Sequence, residues 1–291
     1  MRKLVYAAFD FLLFSNMFMA LCAIAQAMVT FTLIGSKPVF AVLAILFLST
    51  LFIYNFSILL SKPKYPESSP LKRVCWFFAN YKFMVVITIV SAMLLLPLFF
   101  LVSVKSRFLL IFLSILSLGY GLPLFSAGKQ RFGLRNIPGL KLLLIGFTWA
   151  LSVVLLPVFE AQNTYHITIS NNNILLLTTE RFLFITAMAI PFDIRDLFND
   201  RKLGLKTIPV VFGEKNAYLL CQILLFGYWI LLFLFKDHGF DSNFFALTLT
   251  IISAGWLIFR SKFEKNEYYY FFYVDGVLIL QYVLIVVMRR I

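Results

Sequence analysis

Three aspartates, Asp193, Asp196 and Asp200, fall within the stretch "PFDIRDLFNDRKLGLKTIPVVFG" of a chain that holds only 13 acidic residues in 291. The spacing is D-x-x-D-x-x-x-D. On a helix, steps of three and seven residues turn through about 300° and 700°, so the spacing predicts all three carboxylates within roughly a 60° sector. Like charges on one face repel unless a cation sits between them. Hard carboxylate oxygens with room left for water and phosphate suit Mg²⁺. Arg201, Lys202 and Lys206 follow directly and are placed to face phosphate oxygens. The competing reading of the same letters is a solvated, charged helix end.

The anchors after the aspartates extend the pattern: Gly204, Thr207, Pro209 and Gly213 complete D-x-x-D-x-x-x-D-x-x-x-G-x-x-T-x-P-x-x-x-G. This resembles the second aspartate-rich motif of the UbiA-type intramembrane prenyltransferases. The resemblance implies a Mg²⁺-dependent transfer of a prenyl group from a polyprenyl diphosphate to an aromatic or lipid acceptor inside the membrane. It makes Asp193, Asp196 and Asp200 both the catalytic and the metal-binding residues. A second stretch, "YGLPLFSAGKQRFGLRNIPGLK", is similar to the family's loop between the fourth and fifth spans. On that match Tyr120, Lys129, Arg131, Arg135 and Lys141 join Arg201, Lys202 and Lys206 around the diphosphate. Loop cations that only orient the helices are the alternative for each.

One departure stands out against that family. Its first motif, N-x-x-x-D-x-x-x-D, corresponds here to "YNFSILLSKPKYP": Asn55 is kept, while the two aspartate positions hold Leu59 and Pro63. The resemblance implies that those carboxylates ordinarily hold a second Mg²⁺. Asn55 then serves as a neutral oxygen ligand or polar contact, and Lys62, Lys64, Lys72 or Arg73 supplies the lost positive charge. The same departure opens a second reading, a catalytically silent member that holds an isoprenoid lipid or a partner protein.

The elements that must position these residues are membrane helices. Apolar residues make up 62% of the chain and charged ones 13%, with Phe alone at 35 positions. No soluble domain of this length covers so much apolar surface with so few polar groups. Uncharged runs of about 20 residues recur, each enough to cross a bilayer core of roughly 30 Å. Nine hydrophobic segments are expected, near 6–33, 39–60, 83–104, 108–125, 140–159, 179–197, 217–235, 244–259 and 268–288. The fold class is thus an all-α polytopic bundle of about nine transmembrane helices around a central lipid cavity, one domain over residues 1–291. Lys and Arg concentrate in alternate loops, which predicts a cytoplasmic N-terminus and cytoplasmic aspartates in the cell membrane, or the inner membrane of a bacterium.

The net charge of +13 follows from those loops, and with no basic, aromatic-interleaved soluble face it does not indicate a nucleic-acid partner. Cys22, Cys75 and Cys221 lack the spacing of a disulfide framework or zinc site. Asp10, Asn16, Asp275 and Gln281 are polar groups at membrane depth, expected to face the bundle interior. Glu180 and Arg181 are expected at the outer end of the sixth helix, and the run "YYYFFY" from Tyr268 to Tyr273 as an aromatic belt. A transporter predicts inverted repeats with broken helices at the midplane, and no such pairing of halves shows in the sequence.

Overall fold

Lipid-length apolar runs become long helices because a backbone in hydrocarbon must satisfy its own N–H and C=O groups. In a computed structural model of the chain, residues 2–121, 125–127, 130–132, 139–202, 204–234 and 240–290 are described, with the side chains of 2, 3, 120, 121, 125–127 and 130–132 set aside. The helices are α1 Arg2–Phe14, α2 Met17–Leu33, α3 Phe40–Leu60, α4 Lys72–Ala79, α5 Tyr81–Leu101, α6 Val104–Gly121 and α7 Leu140–Tyr165. They continue as α8 Asn171–Arg195, α9 Leu197–Lys202, α10 Ile208–Phe212, α11 Glu214–Leu234, α12 Ser242–Arg260 and α13 Asp275–Met288. A short antiparallel ribbon, β1 Phe125–Ala127 and β2 Gln130–Phe132, is the one exception to the expected all-helical fold among the described residues.

Among the described residues, seven helices are long and apolar enough to span a bilayer, or up to eight with the bent pair α1–α2 counted as one. The expected fourth segment is present as α6, and the expectation of nine depends on it. The protein is an integral membrane bundle. Helices α2 and α7 stand at its centre: α2 packs on α3, α7 and α13, while α7 packs on α2, α6 and α8. One apolar core fills the side bounded by α8, α11, α12 and α13, and a second lies between α2, α3, α6 and α7.

Two local features set up the site. The first helix, expected as a single span, bends by 61° between α1 and α2. Asn16 sits at the bend with φ 67°, a left-handed conformation that asparagine tolerates better than most residues. The second is the close approach of α7 to α8 at Gly146. A Cβ added there would collide with the Thr186 Oγ1 and press on the Phe182 ring at 3.2 Å.

Glu180 and Arg181 correct the expectation of a helix end. Helix α8 begins nine residues before Glu180, and Arg181 is fully buried. Its Nη1 donates to Gln281 Oε1 at 2.8 Å; Gln26 donates to the same oxygen, and Gln281 donates to the Tyr228 hydroxyl. Polar groups at this depth join α2, α8, α11 and α13 because lipid offers no alternative partner.

Candidate active site at the aspartate end of the bundle

The aspartate segment is not one continuous helix. Helix α8 stops at Arg195, Asp196 is its C-cap, and α9 resumes at Leu197. Backbone bonds carry the direction across the break: Asp196 N donates to Phe192 O at 3.0 Å and Asp200 N to Asp196 O at 2.9 Å. The motif's other anchors build the turn that follows. Gly204 takes φ 68° just after α9, where Leu205 N closes back onto Asp200 O at 2.9 Å. This is the usual use of glycine past a helix end. Thr207 is the N-cap of α10 and Pro209 falls in its first turn, where proline's missing N–H costs nothing. Gly139 N donates to Lys206 O at 3.3 Å, tying this turn to the start of α7.

That tie positions Lys141, whose Nζ lies 2.6 Å from Asp193 Oδ1. Asp193 and Asp200 are buried, 4% and 6% exposed, while the Asp196 side chain keeps 29% of its surface open. Asp196 receives two bonds from Arg195, Nε at 2.9 Å and Nη2 at 3.0 Å. Asp193 and Asp196 thus each already carry an internal cation. Among the described residues, no three His, Cys, Asp or Glu side chains converge as a ready-made metal cage. Arg201, Lys202 and Lys206 are exposed at the rim, with Lys202 resting 4.3 Å over the Phe198 ring. Lys129 and Arg135 lie outside the described residues, as do the side chains of Tyr120 and Arg131.

The aspartate segment is linked to the end of α3 through Arg195, Phe271, Arg73 and Asn16. Asn55 is fully buried, and its Oδ1 accepts from Asn16 Nδ2 at 2.6 Å. Asn16 Oδ1 in turn accepts from Arg73 Nη2. Of the four cations expected near this position, Lys62 lies over the rings of Phe78 and Tyr81, Lys64 over Tyr65 and Lys72 over Tyr268. Arg73 alone of these reaches Asn16. Its guanidinium lies 4.9 Å from the Phe271 ring, and Arg195 lies 5.2 Å from the same ring. Burial, and then the charge of Arg195, push the Arg73 guanidinium down to about 10, which leaves it cationic at neutral pH.

Sequence reading missed Arg195, Phe271 and Tyr270. The run from Tyr268 was expected as an interfacial belt. Instead Tyr269–Val274 form a π-helical turn, and Tyr269, Tyr270 and Phe271 are buried. The wide turn carries rings inward against both arginines, a placement that no 3.6-residue period marks. Arg195 also rests 5.2 Å from Tyr270 and 5.3 Å from Phe192.

Beside this charged end lies an apolar cavity of about 310 Å³ between α3, α6 and α7. Its wall runs along α3 from Leu46 to Leu60, about 21 Å at the rise of a helix. Tyr54, next to Asn55, and Leu144, one turn from Lys141, bring it to the charged groups. A charged mouth over a greasy cavity suits a molecule with an anionic head and an apolar tail.

Comparison with known proteins agrees. Residues 79–273 match the model of the UbiA prenyltransferase family. The chain belongs to that family. Asn55, Leu59 and Pro63 fall before the matched stretch, whereas all three aspartates lie inside it. UbiA homologues of known structure share the fold. One from Archaeoglobus fulgidus, bound to GPP and Mg²⁺, superposes with a TM-score of 0.68 at 13% identity, covering 97% of this chain and 100% of its own. The apo form of a UbiA homologue from Aeropyrum pernix K1 gives 0.66 at 13% identity, covering 93% and 98%. The Archaeoglobus fulgidus homologue bound to DMAPP and Mg²⁺ gives 0.63 at 14%, covering 96% and 99%. No curated protein matches the chain in sequence.

Proposed function

We propose that this UbiA family member transfers a prenyl group from a prenyl diphosphate to an acceptor within the bilayer. The observation that carries the reading is the meeting of Asp193 paired with Lys141 and Asp196 paired with Arg195 with an apolar cavity at one end of the bundle. The diphosphate lies against the charged groups and the isoprenoid tail in the cavity between α3, α6 and α7. The bond between the prenyl C1 and the diphosphate oxygen breaks with its electron pair leaving on the diphosphate. A nucleophilic carbon or oxygen of the acceptor bonds to C1 and gives up its proton. The cavity keeps water from capturing the allylic cation.

The donor set fits magnesium: Asp193, Asp196 and Asp200 offer only hard carboxylate oxygens, with no thiol or imidazole among them, and Asp196 is open to an arriving ligand. With one or two carboxylates and the phosphate oxygens as ligands, no closed protein cage is needed. Held by Asp193, Asp196 and Asp200, such an ion would supply positive charge to the diphosphate as it leaves. Lys141 and Arg195 hold the carboxylates in place until the ligand enters. Rim residues Arg201, Lys202 and Lys206 draw the anionic head toward the mouth. The excess of Lys and Arg in alternate loops supports a cytoplasmic mouth.

The test is magnesium-dependent release of diphosphate from geranyl or geranylgeranyl diphosphate by purified protein over a panel of phenolic and lipid-alcohol acceptors. Release in the wild type, its loss in EDTA and a drop of at least 100-fold in Asp196→Ala are expected. Equal rates in the wild type and the variant would take the aspartates out of the reaction. Leu59, Pro63 and the two pre-paired aspartates favour one alternative, a silent lipid-binding member, which predicts binding of the prenyl diphosphate without release.

A further inference from the structure

Hydrogen-bond direction on the α3 side of the mouth changes what Asn55 can do. A guanidinium only donates, so Arg73 requires the oxygen of the Asn16 amide. The Asn16 nitrogen is then the donor to Asn55 Oδ1 at 2.6 Å. The oxygen of Asn55 is therefore taken, and its Nδ2, on a fully buried residue, has no partner among the described residues. Among the described residues two more buried donors lack partners, Arg73 Nε and Arg195 Nη1, and both guanidiniums lie against the Phe271 ring. Buried N–H groups left unmade are costly, so these donors, two of them on guanidiniums that share the Phe271 ring and the third joined to Arg73 through Asn16, point to a ligand that accepts.

We infer that Asn55, Arg73 and Arg195 form a metal-free seat for one phosphoryl group of the diphosphate. The site resting on the reading above is thereby divided: the aspartate side holds its phosphate through a cation, and the α3 side through N–H donors. Leu59 and Pro63 fit this division, because positions that offer no carboxylate have no second ion to hold. Phe271 fixes both guanidiniums by stacking at 4.9 and 5.2 Å. The nearby carboxylates are accounted for. Glu267 accepts the backbone N–H of Lys72 at 2.6 Å and of Arg73 at 3.2 Å, at the head of α4. Asp275 lies within electrostatic reach of both arginines.

Asn55→Asp separates a donor from a metal ligand, since aspartate serves a metal at least as well as asparagine but cannot donate to phosphate. Calorimetry on the full-length protein in detergent, with inorganic diphosphate at saturating Mg²⁺, gives the readout. The wild type is expected to bind with one Mg²⁺ per diphosphate, and Asn55→Asp to bind about 10- to 100-fold more weakly. Equal or tighter binding by Asn55→Asp, or two Mg²⁺ per diphosphate, overturns the seat. If Asn55→Asp does not fold, Asn55→Ala is read in its place: about tenfold weaker binding supports the seat and unchanged affinity overturns it. Arg73→Lys, which keeps charge but loses the fork, is expected to lie between wild type and Asn55→Asp. A wild type that binds no diphosphate with Mg²⁺ present fails earlier, at the prenyl diphosphate reading, and takes the seat with it.

Discussion

Lys141 and Asp193 form the tightest ion pair among the described residues, and the carboxylate is the more enclosed partner. Removing the lysine leaves a buried charge with its main partner gone, so Lys141→Met is expected to cost about 2–3 kcal/mol. That is below the range for fully enclosed pairs because 22% of the Lys141 side chain is exposed. The double variant Lys141→Met with Asp193→Asn should recover most of the melting temperature without recovering diphosphate binding, a split that thermal denaturation and calorimetry resolve. Arg73 sets a pH expectation. Its folded value of about 10 lies below the ordinary guanidinium value, so folding pays a desolvation cost at neutral pH that is relieved only as pH rises above about 10. Between pH 7 and 9 this group exchanges no proton, and diphosphate affinity should be insensitive to it. Above about pH 10 affinity should fall, more in wild type than in an Arg73→Ala variant. At this scale the aspartates were legible because charge is rare in the chain and spacing is local. Arg195 was not, because lying between two aspartates in sequence does not reveal which one it grips.

Helices α7 and α8 bring Lys141 to Asp193 from 52 positions away, and Gly146 lets their backbones approach. Gly146→Ala forces a methyl into the stiff Thr186 and the Phe182 ring. A loss of roughly 1–3 kcal/mol in stability is expected, together with weaker diphosphate binding, since the shift moves both ends of the ion pair. A variant with unchanged melting and unchanged affinity would show that the helices do not need this contact. Most element boundaries were readable to a few residues from apolar runs, although α7 runs on to Tyr165 and α8 starts at Asn171, and Gly204, Thr207 and Pro209 were readable as punctuation because caps are local chemistry. The bend at Asn16 and the π turn at Tyr269–Val274 were not. In lipid, core and outward faces are both apolar, so no hydrophobic period tells which side a ring will take.

For the whole molecule, the charged mouth and the orientation of the bundle are linked. An exposed rim residue reports on both. Lys202→Cys in the intact chain is expected to react with a membrane-impermeant maleimide only from the cytoplasmic side. The native thiols offer little background, since Cys22 and Cys221 are buried and only Cys75 is partly open. Labelling from the opposite side would invert the proposed topology while leaving the site's geometry untouched.

What the amino-acid order determined on its own is the membrane class, the approximate helices, and the aspartate motif with its turn. Each of these follows from composition or from neighbours within one or two turns. The tertiary structure alone decided which charges neutralise which aspartates, and that Arg73 rather than a nearby lysine meets Asn55. It also turned Tyr270 and Phe271 into a wall of the site and Arg181 into a buried tie between helices. Those outcomes depend on contacts between segments up to 258 residues apart in a solvent that does not sort apolar faces, so no local pattern encodes them.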